Sequence, residues 1–349
     1  MNKLHRMLFY AGLEPEEYRA CLPDIRKDNR KMLRAYLAIA SGFLFVIIAL
    51  SGGLQVLRVN SGYYALSFVV CVGLLAVEMA FPEHNSLLLH WLMYAFAALL
   101  YSLGILIMKA SPDELSVSFI AFLLAVPLLF VMPPVHQIAN ILFFVVIFIL
   151  MALHIETGRV ATIDIIDCVV FGLVSCIISS FMMITMHQNF LSRIKLRRFA
   201  NFDLLTNMQN RNAYESSRES WAEKCTVSLS CVYVDVNGLH ELNNTSGHEK
   251  GDQMLQTVAL ELVDHFGKDH CYRTGGDEFV AFVQDTPENT VRATAEEMTR
   301  ALERKGYSVA IGVASQSAGG IDLDALIRRA EKQMYQVKEE HYRTRQQVR

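Results

Sequence analysis

Residues 271–283 read Cys-Tyr-Arg-Thr-Gly-Gly-Asp-Glu-Phe-Val-Ala-Phe-Val, and this stretch decides the fold of the C-terminal half of the chain. Apolar residues on both sides of Gly275 and Gly276 predict two strands joined by a tight turn. The paired glycines permit the turn and leave no side chain to block a ligand. Two carboxylates, Asp277 and Glu278, follow at once. The stretch therefore predicts a hairpin with acidic groups at its tip.

The periodicity of apolar residues on either side predicts the other elements of this half. The run from Thr226 to Val236 is rich in β-branched residues and predicts a buried strand that contains Asp235 near its end. A polar loop should follow it. The remaining predictions are a helix over 253–266, strands over 271–273 and 279–283, a helix over 288–305, a strand over 307–314 and a helix over 323–342. This order predicts an α+β fold, a βαββαβ core with helices on one face of an antiparallel sheet.

The predicted topology brings carboxylates together. If the strand 226–236 lies beside the hairpin, Asp235 meets Asp277 and Glu278 at one edge of the sheet. Three carboxylates repel one another unless a cation neutralises them, and Mg²⁺ prefers oxygen ligands, including those of phosphates. This combination is typical of phosphoryl transfer, in which metal ions activate an attacking oxygen and stabilise a leaving pyrophosphate. By itself, an Asp-Glu pair after two glycines more often marks a solvated hairpin tip.

Several motifs in register resemble those of the GGDEF family of diguanylate cyclases. The signature itself is Gly275-Gly276-Asp277-Glu278-Phe279. An entry motif, a long central motif and a closing helix accompany it: Asp203-Leu204-Leu205-Thr206 with Asn210-Arg211; Asp235-Val236-Asn237 with Asn243, Gly247-His248 and Gly251-Asp252; and Ala330-Glu331, Met334-Tyr335 and Lys338. The resemblance covers about residues 203–338 and implies a palm-like nucleotidyl cyclase domain.

The resemblance implies an enzyme that condenses two GTP into cyclic di-GMP and releases two pyrophosphates, on a homodimer whose protomers each hold one GTP. It also implies a role for each matching position. These are Asp277 and Glu278 in catalysis; Asp235, the carbonyl of Val236, Asp277 and Glu278 as ligands of Mg²⁺ or Mn²⁺; Asn243 and Asp252 at the guanine edge; and Leu239, His240, Gly275, Gly276 and Lys338 against the rest of the substrate. A carboxylate paired with an amide suits the donors and acceptors of guanine.

Alternatives stand beside these roles. Asn243 could cap a helix, Asp252 could favour a helix N-terminus, and Lys338 could lie on a solvated helix face. For the whole chain, one rival is a catalytically inactive GGDEF module that acts as a GTP- or partner-binding signalling receptor. Another is a small transporter with a regulatory tail. The intact set Asp235, Asp277 and Glu278 favours the enzyme.

The chain also departs from the family pattern. Phe266-Gly267-Lys268-Asp269 stands where the family often has an Arg-x-x-Asp product-inhibition motif, so its arginine is missing. Asn207-Met208 replaces the usual Gly-Leu of the entry motif. His240 replaces a common lysine and Tyr342 stands near a usual arginine, so fixed positive charge near the phosphates is reduced.

The N-terminal half predicts an all-α polytopic membrane domain. A bilayer core of about 30 Å needs about 20 largely apolar residues in helical form. Six stretches meet this requirement: 33–57, 63–81, 87–108, 115–132, 138–154 and 163–187. Polar groups inside them, notably Glu78 and His90, could face a cavity or partner helix, or lie at the interface, where Glu78 is close to Pro82.

Basic residues predict the orientation, because they concentrate on the cytoplasmic side of spans. They cluster before the first span and after the last, at Arg193, Lys195, Arg197 and Arg198. Both termini and the catalytic domain should therefore lie in the cytoplasm, with the chain multi-pass in the inner (cytoplasmic) membrane and the lipid bilayer as a partner. The predicted domains are a cytoplasmic segment 1–32, a sensory or anchoring domain 33–187, a helical linker 188–202 and the cyclase domain 203–349. The linker is either a solvated basic stem or a dimerising helix.

Composition excludes some classes of function. A net charge of −3 and a pI near 6.4 argue against the basic face that nucleic-acid binding usually needs. The seven cysteines are scattered and lack zinc-site spacing, which favours isolated thiols.

Overall fold

The computed structural model describes residues 2–81 and 86–347, and the chain divides into two compact units, Met1–Ile194 and Lys195–Arg349. Pro82, which is close to Glu78 in sequence, lies outside the described residues. So do the first residue of the predicted segment 1–32 and the last two of the predicted domain 203–349.

The N-terminal unit is helical. Its helices are α1 Lys3–Tyr10, α2 Pro15–Ser51, α3 Gln55–Arg58, α4 Ser61–Ala80, α5 Ser86–Ala110, α6 Val117–Ala125 with the 3₁₀ turn Val126–Leu128, α7 Pro134–Ile155 and α8 Gly158–Asn201, which runs on into the second unit. Five helical stretches of the described chain are long and apolar enough to cross a membrane. Large apolar side chains such as Phe43 and Phe181 point outward, 66% and 73% exposed. The long apolar helices and the exposed apolar side chains of this unit indicate a membrane protein.

The fourth predicted span, 115–132, is not a continuous helix. The α6 helix and its 3₁₀ turn cover only Val117–Leu128. At 1.5 Å per residue, these 12 residues rise about 18 Å, less than the thickness of a bilayer core. Six continuous transmembrane helices are therefore not confirmed.

The segment 116–132 nevertheless runs beside a long stretch of α8. Three hydrogen bonds join this segment to α8, and their partners come in the same order along both stretches. They run from Ser116 N to Asp164 Oδ2 at 3.0 Å, from Ser175 Oγ to Leu123 O at 2.7 Å and from Met132 N to Met183 Sδ at 3.4 Å. From Asp164 to Met183 a helix rises about 28 Å. The residues after Leu128 are not helical, so a short helix and a non-helical tail together cover this length.

Buried side chains satisfy the non-helical backbone of this tail. Asn29 donates to Val131 O and accepts from Val131 N, both at 2.9 Å. Gln137 donates to Phe130 O at 3.2 Å. Irregular backbone is tolerated at membrane depth only where protein groups satisfy it. Glu78 is 3% exposed and pairs with basic side chains of α2, so it faces a partner helix, as one of the two sequence alternatives predicts.

The predicted linker 188–202 belongs to α8 up to Asn201, and Phe202 forms an isolated β-bridge with Gln209. Phe190, Leu191 and Ile194 pack with apolar residues of the N-terminal segment, including Leu13. Further along, Leu196 and Phe199 are 66% and 58% exposed. The apolar face of the linker is thus covered within the unit up to Ile194.

The C-terminal unit consists of a sheet with helices on both faces. Its elements are β1 Gln209–Asn210, α9 Arg211–Lys224, β2 Ser228–Val236, α10 Leu239–Ser246, α11 His248–Phe266, the 3₁₀ turn Lys268–His270, β3 Cys271–Arg273, β4 Glu278–Gln284, α12 Glu288–Arg304, β5 Val309–Ser317 and α13 Leu323–Gln347. The sheet order is β1-β3-β4-β2-β5. The loop predicted after Asp235 contains a helix, α10.

Two expectations about this sheet are wrong. The sheet is mixed rather than antiparallel, because β1 pairs with β3 in parallel while the other pairs are antiparallel. Helices cover both faces: α11 and α12 pack on one core and α9 and α13 on the other. The central strand β2 explains the second difference. Val232 and Val234 face one core, and Leu229 and Cys231 face the other, so both faces need cover.

Candidate functional site

The acidic residues meet where β2 ends. The antiparallel register sets Asp235 of β2 opposite Glu278 of β4. Beyond the ladder, Val236 N donates to Asp277 O at 3.1 Å, which joins the strand end to the tight turn. Asp235 and Val236 are buried, and Glu278 is half-buried. The sequence expectation that Asp235, Asp277 and Glu278 lie at one edge of the sheet is confirmed by this geometry.

A lysine from the last helix completes the acidic cluster. Lys338 Nζ lies 2.7 Å from both carboxylate oxygens of Asp235 and donates a hydrogen bond to Oδ2. Gly312 of β5 brings the helix this close, because a Cβ on Gly312 would lie 1.9 Å from Ala330 O and 2.5 Å from Met334 N. Met334 is one turn before Lys338 on α13. Lys338 is therefore not on a solvated helix face.

Burial and like charges shape the electrostatics. Burial raises the pKa of Asp235, the Lys338 ammonium partly offsets this, and the charge of Asp277 adds to the rise. Burial, followed by the charges of Asp235 and Asp277, also raises the pKa of Glu278. Burial alone would lower the pKa of Lys338, but the ion pair with Asp235 holds it above its ordinary value. The edge of the sheet thus carries more negative charge than one lysine neutralises.

Arg273 links the entry motif to the glycine turn, and sequence reasoning missed it. Its guanidinium donates to Asp203 Oδ1 and to Gly276 O, both at 2.7 Å. Asp203 Oδ1 also accepts from Thr206 N at 2.9 Å and Thr206 Oγ1 at 2.7 Å. Although burial alone would raise the pKa of Asp203, the bonds from Thr206 and Arg273 hold it below its ordinary value. The only available sequence signal was that Arg273 precedes the turn by two residues.

The entry motif tolerates its unusual asparagine. Asn207 has φ of 55°, a left-handed conformation that favours glycine and that asparagine adopts more readily than most residues. Its backbone N–H donates to Asp203 O at 2.8 Å. Met208 is buried in the core. The replacement of Gly-Leu by Asn207-Met208 therefore keeps the turn.

The predicted guanine contacts lie on two consecutive helices. Asn243 of α10 packs against Gly251 of α11, where a Cβ would lie 1.9 Å from Asn243 Oδ1. That oxygen is buried and has no hydrogen-bond partner among the described residues. Asp252 is exposed and is the fifth residue of α11, beyond the first turn, so a helix N-terminal role does not account for it.

The remaining predicted contacts surround the start of α10. Leu239 is its first residue, follows Gly238 in the left-handed conformation, and packs against the core. His240 is exposed and lies 3.2 Å from Asn244 through Nδ1. Tyr342 is 38% exposed. Positions 240 and 342 lack the lysine and the arginine that are common in the family. Lys338 is the cation that contacts Asp235.

The donor set suits a hard divalent cation. Asp235 Oδ1 is buried without a hydrogen bond, although Lys338 lies close to it. Gly275 leaves room for the neighbouring carboxylate, because a Cβ there would lie 2.7 Å from Glu278 Oε2. In the described ranges, no group of three or more His, Cys, Asp and Glu side chains is arranged to hold a metal ion. The residues fit Mg²⁺ in chemistry, and their role as ligands remains a prediction.

Residues 200–344 match the family model described as diguanylate cyclase, GGDEF domain. This match covers the part of the chain in which the signature predicts a GGDEF domain.

Curated relatives match the same region. A cyclic di-GMP phosphodiesterase, PdeR of Escherichia coli K12, is 32% identical over 157 residues, which is 42% of this chain and 23% of PdeR. The diguanylate cyclase DosC of the same strain is 30% identical over 152 residues, 40% of this chain and 33% of DosC. The chain thus spans about a quarter to a third of these relatives.

Among solved structures, the chain is similar to the coiled coil and GGDEF domain of DgcB from Caulobacter crescentus in complex with c-di-GMP. The identity is 22% and the TM-score 0.42, with 48% of this chain and 95% of that chain covered.

Proposed function

We propose that this protein is a membrane-bound diguanylate cyclase, which condenses two GTP into cyclic di-GMP and releases two pyrophosphates. The observation that carries the proposal is the register of β2 on β4, which sets Asp235 opposite Glu278 beside Asp277. The family match of residues 200–344 supports the same reaction class.

Each residue of the site would then have a task. Asp235, the Val236 carbonyl, Asp277 and Glu278 would hold Mg²⁺ or Mn²⁺. When bound, the ion supplies activation of the attacking 3′-hydroxyl and charge stabilisation of the leaving pyrophosphate. Gly275 and Gly276 leave space for substrate next to the carboxylates.

Other residues would bind the substrate. The buried Oδ1 of Asn243 would accept a hydrogen bond from a guanine N–H, and Asp252 would accept from the same edge. Lys338 would share its charge between Asp235 and a phosphate, with the backbone near Leu239 and His240 completing the contacts. Each protomer would hold one GTP, so catalysis would need a homodimer in which the two sites face each other.

The helical unit would place the enzyme in the inner membrane, with both termini and the GGDEF domain in the cytoplasm. Its five long apolar helices and outward-facing apolar side chains support this location. A change in the membrane unit would regulate the cyclase by changing how two GGDEF domains meet.

The test is the incubation of purified full-length protein with GTP and Mg²⁺, followed by chromatography of the nucleotides. We expect cyclic di-GMP from the wild type and from Asp264→Asn, an exposed carboxylate of α11 outside the site. Asp277→Ala should make none. If the wild type binds GTP but yields no product where a control cyclase is active, the rival function applies, a receptor in which Lys338 permanently neutralises Asp235.

A further inference from the structure

The cytoplasmic half of α2 carries a stripe of basic residues. Five of them lie within nine positions: Arg26, Lys27, Arg30, Lys31 and Arg34. Positions 26, 30 and 34 recur every four residues, as do 27 and 31, so all five project from one side of the helix. Like charges at this spacing destabilise a helix by a few tenths of a kcal/mol per pair. The stripe is therefore unfavourable unless negative charge faces it.

The part of the chain that the structure describes supplies three negative charges near the stripe. Glu78 of α4 is buried and pairs with two of the five, Arg34 and Arg30, the latter at 3.6 Å between Nε and Oε1. Asp24 and Asp28 of α2 also lie in this region. Among the described residues, five positive charges minus these three negative charges leave an excess of two.

The stripe also lines a cavity. An open cavity of about 450 Å³ lies between α2 and the start of α5, with the five basic residues and Ser86 among its walls. Small-molecule sites typically measure about 300–1,000 Å³. Arg26 has a buried Nε without a hydrogen-bond partner in the described part of the chain. A buried donor of this kind carries a desolvation cost that an anionic ligand would remove.

We propose that this cavity binds a phosphate-bearing anion. Guanidinium groups pair with phosphate through two parallel hydrogen bonds, and lysine adds point charge. A phosphate group brings up to two negative charges, which match the excess of two. The ligand is either the headgroup of an anionic lipid or a soluble phosphate compound. The site lies entirely within the membrane unit, so the result of its test does not depend on the proposed cyclase reaction.

The test uses the acylation rates of individual lysines in the full-length protein, read by mass spectrometry. Lys27 and Lys31 are exposed in the cavity, and exposed Lys109 at the end of α5 is the internal control. The protein is placed in phosphatidylcholine nanodiscs without addition, with sodium pyrophosphate, or with sodium chloride at the same ionic strength. A further sample replaces part of the lipid with phosphatidylglycerol.

We expect labelling of Lys27 and Lys31 to slow by about fivefold, with Lys109 unchanged, because a bound phosphate engages the amines. Protection by pyrophosphate but not chloride identifies a soluble ligand. Protection by phosphatidylglycerol alone identifies a lipid headgroup. Arg26→Gln should weaken either protection, whereas Arg19→Gln, an exposed arginine of α2 outside the cavity, should not. If Lys27 and Lys31 label in every sample as they do without addition, the proposal is wrong.

Discussion

Lys338 of the last helix and Asp235 of the central strand form a close ion pair, with Nζ 2.7 Å from each carboxylate oxygen. The two residues are 103 positions apart in sequence. Their contact neutralises one carboxylate of the acidic cluster while Glu278 and Asp277 remain beside it. Lys338 thus supplies positive charge beside Asp235, one of the carboxylates that would hold a divalent cation.

Replacing Lys338 should make the thermal stability of the protein depend more on Mg²⁺. In Lys338→Gln the buried carboxylate of Asp235 loses its counter-charge, so we expect lower thermal stability without Mg²⁺. Added Mg²⁺ should raise the melting temperature of the variant by more than that of the wild type, since binding to the folded state stabilises it. Thermal unfolding with and without Mg²⁺ measures this. Lys332→Gln, exposed on the same helix, should behave as the wild type does.

Gly312 should be intolerant of a single added methyl group. A Cβ would overlap the backbone of α13 at Ala330 O, and backbone cannot move aside as a flexible side chain can. We expect Gly312→Ala to cost about 3 kcal/mol or more of unfolding free energy, at the upper end for overpacking. Gly276→Ala, where no atom lies within 4 Å of the added Cβ, is the matched control for stability. Equal denaturation curves for the two variants would contradict the close packing of β5 and α13.

Asp203 should contribute stability that depends on pH. Its pKa is lower in the folded protein than the ordinary 3.8, so the contribution is present above about pH 4 and disappears as pH falls through the folded pKa. Asp203→Asn should cost about 1–2 kcal/mol near pH 7, as expected for charge-assisted hydrogen bonds. The difference from the wild type should shrink as pH falls below 4. A stability difference that stays constant down to pH 3 would show that the bonds from Arg273 and Thr206 do not lower the pKa of Asp203.

The chain should lack product inhibition through the Arg-x-x-Asp type of site. Phe266 ends α11 where that motif has its arginine, and the adjoining Gly267-Lys268-Asp269 forms a turn. An aromatic ring cannot donate the paired hydrogen bonds that arginine gives to phosphate. Calorimetric titration with cyclic di-GMP should show no micromolar binding at this site. Micromolar binding that Asp269→Asn abolishes would refute the prediction.

Asn29 should be a polar residue on which the stability of the helical unit depends strongly. It satisfies both backbone groups of Val131 in a buried, non-helical segment. Asn29→Ala leaves two buried groups unpaired, and we expect a cost of about 2–4 kcal/mol. Asn60 is also buried, but its Oδ1 has no partner in the described chain, so Asn60→Ala should cost much less. Unfolding in detergent compares the two.

Local patterns in the sequence were enough to find the acidic strand and the glycine turn. Alternation and β-branched residues predicted β2, and the paired glycines predicted the turn before β4, because both depend on neighbouring residues. The proximity of Asp235 to Glu278 also followed, since adjacent strands place such positions side by side. Runs of apolar residues marked the membrane unit, because the lipid solvent imposes composition directly.

Tertiary structure alone decided the rest. The close approach of α13 over Gly312, the bridge from Arg273 to Asp203 and the pairing of Glu78 with Arg30 and Arg34 join residues that are distant in sequence. The non-helical tail after Leu128 is likewise stabilised by Asn29 and Gln137, which satisfy its backbone. No local periodicity reports such contacts, because they arise only when separate elements pack and every buried polar group must find a partner. The sequence by itself determined the acidic edge and the apolar spans, whereas packing decided which cation faces that edge and where a span stops being a helix.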